Sequence, residues 1–327
     1  MKTWLYLGLA ASLGACGCLP QMNRPPQLQR GVVVANGLTL AYERFGSPNR
    51  EAILLIAGTN SQLTAWPTPF CHYLARRGYQ VIRFDNRDVG LSSKLAPAGL
   101  PDWAAIGQAL QAHTPPPLPY TLDDMATDAA GLLAALGIAR AHVVGASMGG
   151  MIAQRLAYHH PGRVLTLASL MAGGGKAGFP LVARPEALAG VPALGPPADT
   201  AAYIRREVRA LLALSGPSYP LDSLSAHAAV AGDVRRAYYP DGLSRQGAAS
   251  LAGFYAGRER QLQTIRVPTI VIHGSADPLV TPEAGRDVAS NVPNARFVLI
   301  PGMGHSLAPA LTTQVAELIL HNAAKSR

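Results

Sequence analysis

Short, nearly continuous apolar runs recur along this chain, and most are followed by a stretch with helical spacing. Val32–Val34, Leu38–Arg44, Ala52–Ala57, Gln80–Phe84, His142–Gly145, Val164–Leu170, Thr269–His273 and Arg296–Ile300 predict strands. Several are almost unbroken Val, Ile and Leu, as expected of strands covered on both faces. Pro69–Arg77, Leu122–Leu136, Met148–His159, Pro282–Asn291 and Thr313–Ala323 predict helices. Thr121 is placed to cap the second of these, and Gly137 to end it. Strands alternating with helices predict an α/β fold with a mostly parallel, eight-stranded sheet. No internal repeat is present.

The pattern changes between Gly173 and Gln263. Strand-like runs stop, Pro, Gly and Ala increase, and helical pieces fall at Ala201–Leu214, Leu224–Ala237 and Ala248–Gln261. Residues 173–263 therefore read as a helical insertion into a core made of residues 31–172 and 264–327. Residues 1–30 stand apart as a leader and tether.

The formal charge of +9 invites a nucleic-acid partner, but its distribution argues against one. Arginine outnumbers lysine 24 to 4, in a chain rich in Ala, Gly and Pro, which is a compositional bias. The pairs Arg76-Arg77, Arg205-Arg206 and Arg235-Arg236 are far apart and form no stripe with aromatics. The three cysteines, Cys16, Cys18 and Cys71, make no ligand set with nearby histidines, so no metal is expected. Cys71 falls on a helix and reads as a small buried group. Asp85, Asn86, Arg87 and Asp88 are grouped like metal ligands. Their place after a strand makes them a loop held by hydrogen bonds and ion pairs.

Candidate chemistry begins at Gly145-Ala146-Ser147-Met148-Gly149, a G-x-S-x-G pattern between a strand and a helix. Such a turn presents the serine hydroxyl at a strand end, and the helix start directs N–H groups toward a developing oxyanion. A serine hydroxyl needs a base. Asp277 follows the strand Thr269–His273, and His305 lies on the Gly-rich loop Pro301-Gly302-Met303-Gly304 after Arg296–Ile300. The order Ser…Asp…His is the expected one, with Asp277 orienting the imidazole. His72, His142, His159, His160 and His273 sit on strands or helices and read as packed or solvated. The loop after Ala52–Ala57 offers a second oxyanion donor, the N–H of Thr59, beside that of Met148.

These motifs, with Ile56-Ala57-Gly58-Thr59-Asn60 and Val81 through Ser92, resemble the α/β-hydrolases. Within them the chain is similar to the aclacinomycin methylesterase branch of serine esterases, from about Val32 to the C-terminus. Hydrolases of this fold often carry His-Gly where this chain has Ala57-Gly58. The resemblance implies hydrolysis of a small-molecule carboxylic ester through an acyl-enzyme, with no cofactor. It also implies that residues 173–263 form a cap, whose Phe179, Tyr203, Tyr219, Tyr238, Tyr239, Phe254 and Tyr255 are candidates to line an apolar pocket. Two or three of these are expected to touch a ligand, and the rest to pack the cap. A lipase or another acyl hydrolase (thioester, lactone, amide) remains open, as does a non-catalytic surface binding protein. An epoxide or haloalkane hydrolase is disfavoured, because it needs a carboxylate at Ser147. Oligomeric state is left open.

The leader has a positive start at Lys2, an apolar run from Trp4 to Ala15, and Leu13-Gly14-Ala15-Cys16, which resembles a bacterial lipoprotein cleavage box. It implies an exported, membrane-anchored protein lipidated at Cys16. The alternative is a cytoplasmic protein whose translation begins at Met22.

Overall fold

The computed structural model describes residues 26–176 and 199–326. Eight strands form one sheet: β1 (Leu28–Ala35), β2 (Leu38–Phe45), β3 (Ala52–Ile56), β4 (Gln80–Phe84), β5 (Ala141–Ala146), β6 (Val164–Leu170), β7 (Thr269–Gly274) and β8 (Arg296–Ile300). Their spatial order is β1-β2-β4-β3-β5-β6-β7-β8. β2 pairs antiparallel with β1 and with β4, and all the other pairings are parallel. β1 is longer than the sequence pattern predicts, because a hairpin through Asn36 and Gly37, both at positive φ, extends its pairing along the whole of β2.

The sheet is covered on both faces, as the unbroken apolar strands require. Leu54 and Ile56 of β3 join one core with α3 (Leu122–Ala135), α4 (Met148–His159) and α9 (Pro282–Asn291). Ile53 and Leu55, pointing the other way, join a second core with α1 (Thr68–Arg76) and α10 (Thr312–Ala323). Each such side chain, fully withdrawn from water, contributes about 1.5–3 kcal/mol. Thr121 caps α3 in a reciprocal capping box with Asp124, as its position predicts. Cys71 is buried on α1, and burial pushes its thiol up to about 12. His142 is buried in β5, with Nδ1 3.0 Å from Thr166 Oγ1.

One helix outside the insertion escapes the sequence pattern, α2 (Trp103–Gln111), started by Asp102 accepting from the Ala105 N–H at 3.0 Å. Between β6 and β7 lie α5 (Thr200–Ala213), α6 (Ser223–Arg236), α7 (Asp241–Tyr255) and α8 (Glu259–Leu262). α5 and α6 pack on each other, and α7 packs on α2, α3 and α4. Asp199 and Asp222 cap α5 and α6. The single helix expected over Ala248–Gln261 is two, because the chain turns at Ala256–Arg258. There the Arg258 N–H donates to Gly175 O at 2.7 Å, and its buried guanidinium donates to the carbonyls of Gly173 and Gly174.

The loop after β4 is tied down as its sequence suggests. Asp85 accepts from the Leu63 and Leu91 N–H groups, Asn86 donates to Ala57 O, Arg87 pairs with Asp128, and Asp88 pairs with Arg245. Among the described residues no cluster could hold a metal ion, and no helix is long and apolar enough to cross a membrane. Residues 1–25 of the proposed leader and tether, Cys16 among them, lie outside the described residues, whereas Leu28–Arg30 belong to β1 and not to a tether, because they pair with Glu43–Phe45 of β2.

Candidate active site

Ser147 stands between β5 and α4 with φ 56° and ψ −123°, a backbone conformation rare for a residue with a side chain. The turn closes only because its glycines lack Cβ atoms. A Cβ on Gly145 would lie 2.0 Å from Gly149 O, and one on Gly149 would lie 2.2 Å from Ile56 O. The Ser147 N–H donates to Leu170 O at 2.9 Å, fixing the turn to β6. The side chain is left partly exposed at the carboxyl end of the sheet.

The loops after β7 and β8 bring Asp277 and His305 to it. His305 Nε2 lies 2.9 Å from Ser147 Oγ, and His305 Nδ1 lies 2.7 Å from Asp277 Oδ2. This geometry assigns the proton on Nδ1 to the carboxylate and leaves Nε2 to accept from the serine hydroxyl. Asp277 Oδ1 accepts from the N–H groups of Leu279 and Val280, both at 2.9 Å. Burial by itself raises the Asp277 pKa. The His305 charge and hydrogen bonds from His273 and His305 outweigh it and hold the carboxyl well below the usual carboxylate range. The three residues expected from the sequence are thus brought together. His305 is held from behind by its own N–H, which donates to Leu214 O of the insertion at 2.7 Å.

The residues expected to supply the oxyanion donors lie next to the serine in the chain and in the cavity wall. Met148 is the first residue of α4, where the Gly150 and Met151 N–H groups turn back to Ser147 O. Thr59 follows Gly58, whose position is 3.3 Å from Ser147 Cβ when measured from an ideal Cβ. The neighbouring Asn60 N–H is committed to Gln246 Oε1 at 2.7 Å, and Thr59 lines the same cavity as Ser147.

Above Ser147 opens a cavity of about 1220 Å³, walled by Trp103, Met151, Tyr203, Tyr238, Tyr239 and Phe254 and reaching Ser147 and His305. Four of the expected aromatic residues therefore line it: Tyr203, Tyr238, Tyr239 and Phe254. Tyr219 and Tyr255 do not. Tyr219 packs against the core beneath α1 and α10, and Tyr255 stands edge-on to Phe254 and is exposed. Phe179 lies outside the described residues. Tyr203 and Tyr238 meet edge to face at 5.1 Å, and Tyr203 Oη accepts from Asn60 Nδ2 at 2.8 Å. Burial, with help from the nearby Glu207 charge, pushes the Tyr203 hydroxyl up to about 12. The wall also holds Glu207 and Asp233, carboxyls raised mainly by burial. Trp103, Glu207 and Asp233 are wall residues the sequence pattern did not single out. The Asp102 cap just before Trp103 was the available signal for the first; nothing in the periodicity marks the other two.

A family model for the alpha/beta hydrolase fold matches residues 51–308, and the chain belongs to that family. Among its relatives is the rhodomycin D methylesterase DauP of Streptomyces sp. (strain C5), 31% identical over 319 residues that cover 88% of this chain and 96% of the relative. The rhodomycin D methylesterase DnrP of Streptomyces peucetius is 30% identical over the same shares. A solved meta-cleavage product hydrolase from Pseudomonas fluorescens IP01 superposes with a TM-score of 0.70 at 19% identity, over 91% of this chain and 98% of that one, a likeness of fold. The resemblance to methylesterases read from the motifs holds, and the relatives support hydrolase activity of the esterase kind.

Proposed function

We propose that this protein hydrolyses carboxylic esters through an acyl-serine intermediate. The observation that carries the reading is the continuous contact Ser147 Oγ to His305 Nε2 to Asp277, at 2.9 and 2.7 Å, at the floor of an apolar cavity. Ser147 Oγ attacks the ester carbonyl carbon as its proton passes to His305 Nε2. Asp277 keeps the ring oriented and stabilises the imidazolium. The N–H groups of Met148 and Thr59 hold the oxyanion. The intermediate collapses as His305 gives its proton to the departing alcohol. Water, activated by His305, then adds to the acyl-serine and releases the acid. Every proton is handled by His305, so the cycle needs no cofactor.

In this reading residues 173–263 form a cap whose aromatic residues hold the acyl part. The methylesterase relatives favour a methyl ester, with methanol as the leaving alcohol, and a cavity of about 1220 Å³ leaves room for a bulky acyl part. The test is a panel of esters of increasing acyl bulk, each run against Ser147→Ala. Turnover that extends to bulky methyl esters and falls roughly 10⁴-fold or more in the variant supports the reading. Turnover that survives Ser147→Ala overturns it.

For location, the reading carried forward is lipid attachment at Cys16, supported by the leader pattern alone. Intact mass of membrane-extracted protein tests it: a lost leader with added acyl chains supports it, and an unmodified soluble protein starting at Met22 overturns it.

A further inference from the structure

A second imidazole reaches the carboxylate that orients His305. His273 Nε2 lies 3.2 Å from Asp277 Oδ2, the oxygen that also accepts from His305, and 3.0 Å from Val280 O. His273 is 0% exposed, and its Nδ1 is buried with no hydrogen-bond partner among the described residues. These contacts choose between the two neutral tautomers. An Nδ1–H tautomer would turn a bare Nε2 lone pair toward two oxygens and bury a donor with nothing to meet. The Nε2–H form satisfies the geometry, its N–H donated to Val280 O with Asp277 Oδ2 beside it. The ring is given its place by Gly285 of α9, where a Cβ would stand 2.3 Å from His273 Nδ1.

We infer that His273 is a positioning residue for the hydrolytic reaction: its N–H, donated to Val280 O with Asp277 Oδ2 in contact beside it, locks the turn 277–280 so that the carboxylate faces His305. This rests on the hydrolase reading above. With His273 in place, Asp277 accepts three hydrogen bonds, from Leu279 and Val280 N–H on Oδ1 and from His305 on Oδ2, and His273 Nε2 closes on Oδ2 at 3.2 Å. That leaves the carboxylate no freedom to rotate away from the catalytic imidazole. His273 does not line the cavity above Ser147, so its loss is felt in the chemical step and not in binding.

Steady-state kinetics of His273→Phe and His273→Gln on one ester test this. Phe fills the space without an N–H, and Gln restores an N–H near the Nε2 position. His273→Phe should lose about tenfold or more in kcat with KM within about twofold of the parent, and His273→Gln should recover most of it. A His273→Phe enzyme with the parental kcat, a loss confined to KM, or a Gln variant as impaired as Phe would overturn the inference. Nitrogen-15 histidine NMR on the Ser147→Ala protein gives a second readout, needing neither turnover nor a change at His273. A proton on Nε2 supports the assignment; a ring protonated on Nδ1 alone overturns it, whatever becomes of Ser147 as nucleophile.

Discussion

The Asn60 N–H donates to Gln246 Oε1 at 2.7 Å, joining two residues 186 positions apart in sequence. Gln246 is fully buried on α7, and its Nε2 donates onward to Arg87 O at 2.7 Å. The loop that carries Thr59 is therefore held in part by a residue of α7. Asn60 sits at φ 57°, a strained conformation that its tether helps to keep.

Replacing Gln246 by Leu removes both hydrogen bonds at nearly constant volume and leaves the buried Arg87 carbonyl and the half-buried Asn60 N–H unpaired. The expected cost is about 1–3 kcal/mol for each buried group left unmet. A shifted Thr59 N–H should also lower kcat for ester turnover about tenfold, with the fold retained. Thermal denaturation together with steady-state kinetics checks both. Unchanged kcat beside lowered stability would mean that Thr59 does not serve the oxyanion.

A second link between insertion and core is the pair Arg245–Asp88, with both side chains withdrawn from solvent and Nε 2.8 Å from Oδ2. Arg245 also donates to Gly99 O and to Tyr239 Oη, a residue of the cavity wall. Arg245→Met would strand the Asp88 charge. Urea denaturation should show a loss of about 3–5 kcal/mol. A loss under about 1 kcal/mol would show that water reaches the pair and that it does not hold α7 to the core.

What could be read in advance follows from how local each feature is. Ser147, Asp277 and His305 were legible because each sits at a strand end, and strand ends are marked by apolar runs breaking into glycine-rich turns. The sheet was legible for the same reason. Gln246, Arg245 and Glu207 were not, because their roles depend on how α5 and α7 lie across the core, and helical spacing does not encode that. His273 was read as a packed strand residue. Its burial agrees, but its contact with Asp277 depends on the turn at residues 277–280 folding back on β7. The break between α7 and α8 was missed because its cause, Arg258 meeting Gly173 through Gly175, is a contact across more than eighty residues.

The lowered Asp277 pKa carries a stability signature. Because the folded-state value lies below the unfolded one, the ionised carboxylate adds stability that is fully present above the ordinary carboxylate range, about pH 4. That contribution is lost as pH falls below this range toward the folded-state value, because the unfolded chain takes up the proton first. Asp277→Asn should therefore lower the melting temperature more at pH 7 than at pH 3. It should also cut ester turnover by roughly 10³- to 10⁴-fold at neutral pH, by presenting the wrong partner to His305. Melting curves of both proteins across this pH range check the first claim. A gap between them that stays constant with pH would contradict it.

The central claim is that Ser147 is the nucleophile, activated by His305. A fluorophosphonate probe reacts preferentially with a serine made nucleophilic in this way, and peptide mapping by mass spectrometry locates the adduct. The account predicts one adduct, on Ser147, formed in step with loss of ester turnover. It also predicts that His305→Ala abolishes labelling while the protein stays folded. An adduct on another serine, or ester turnover that persists with Ser147 fully modified, would contradict it.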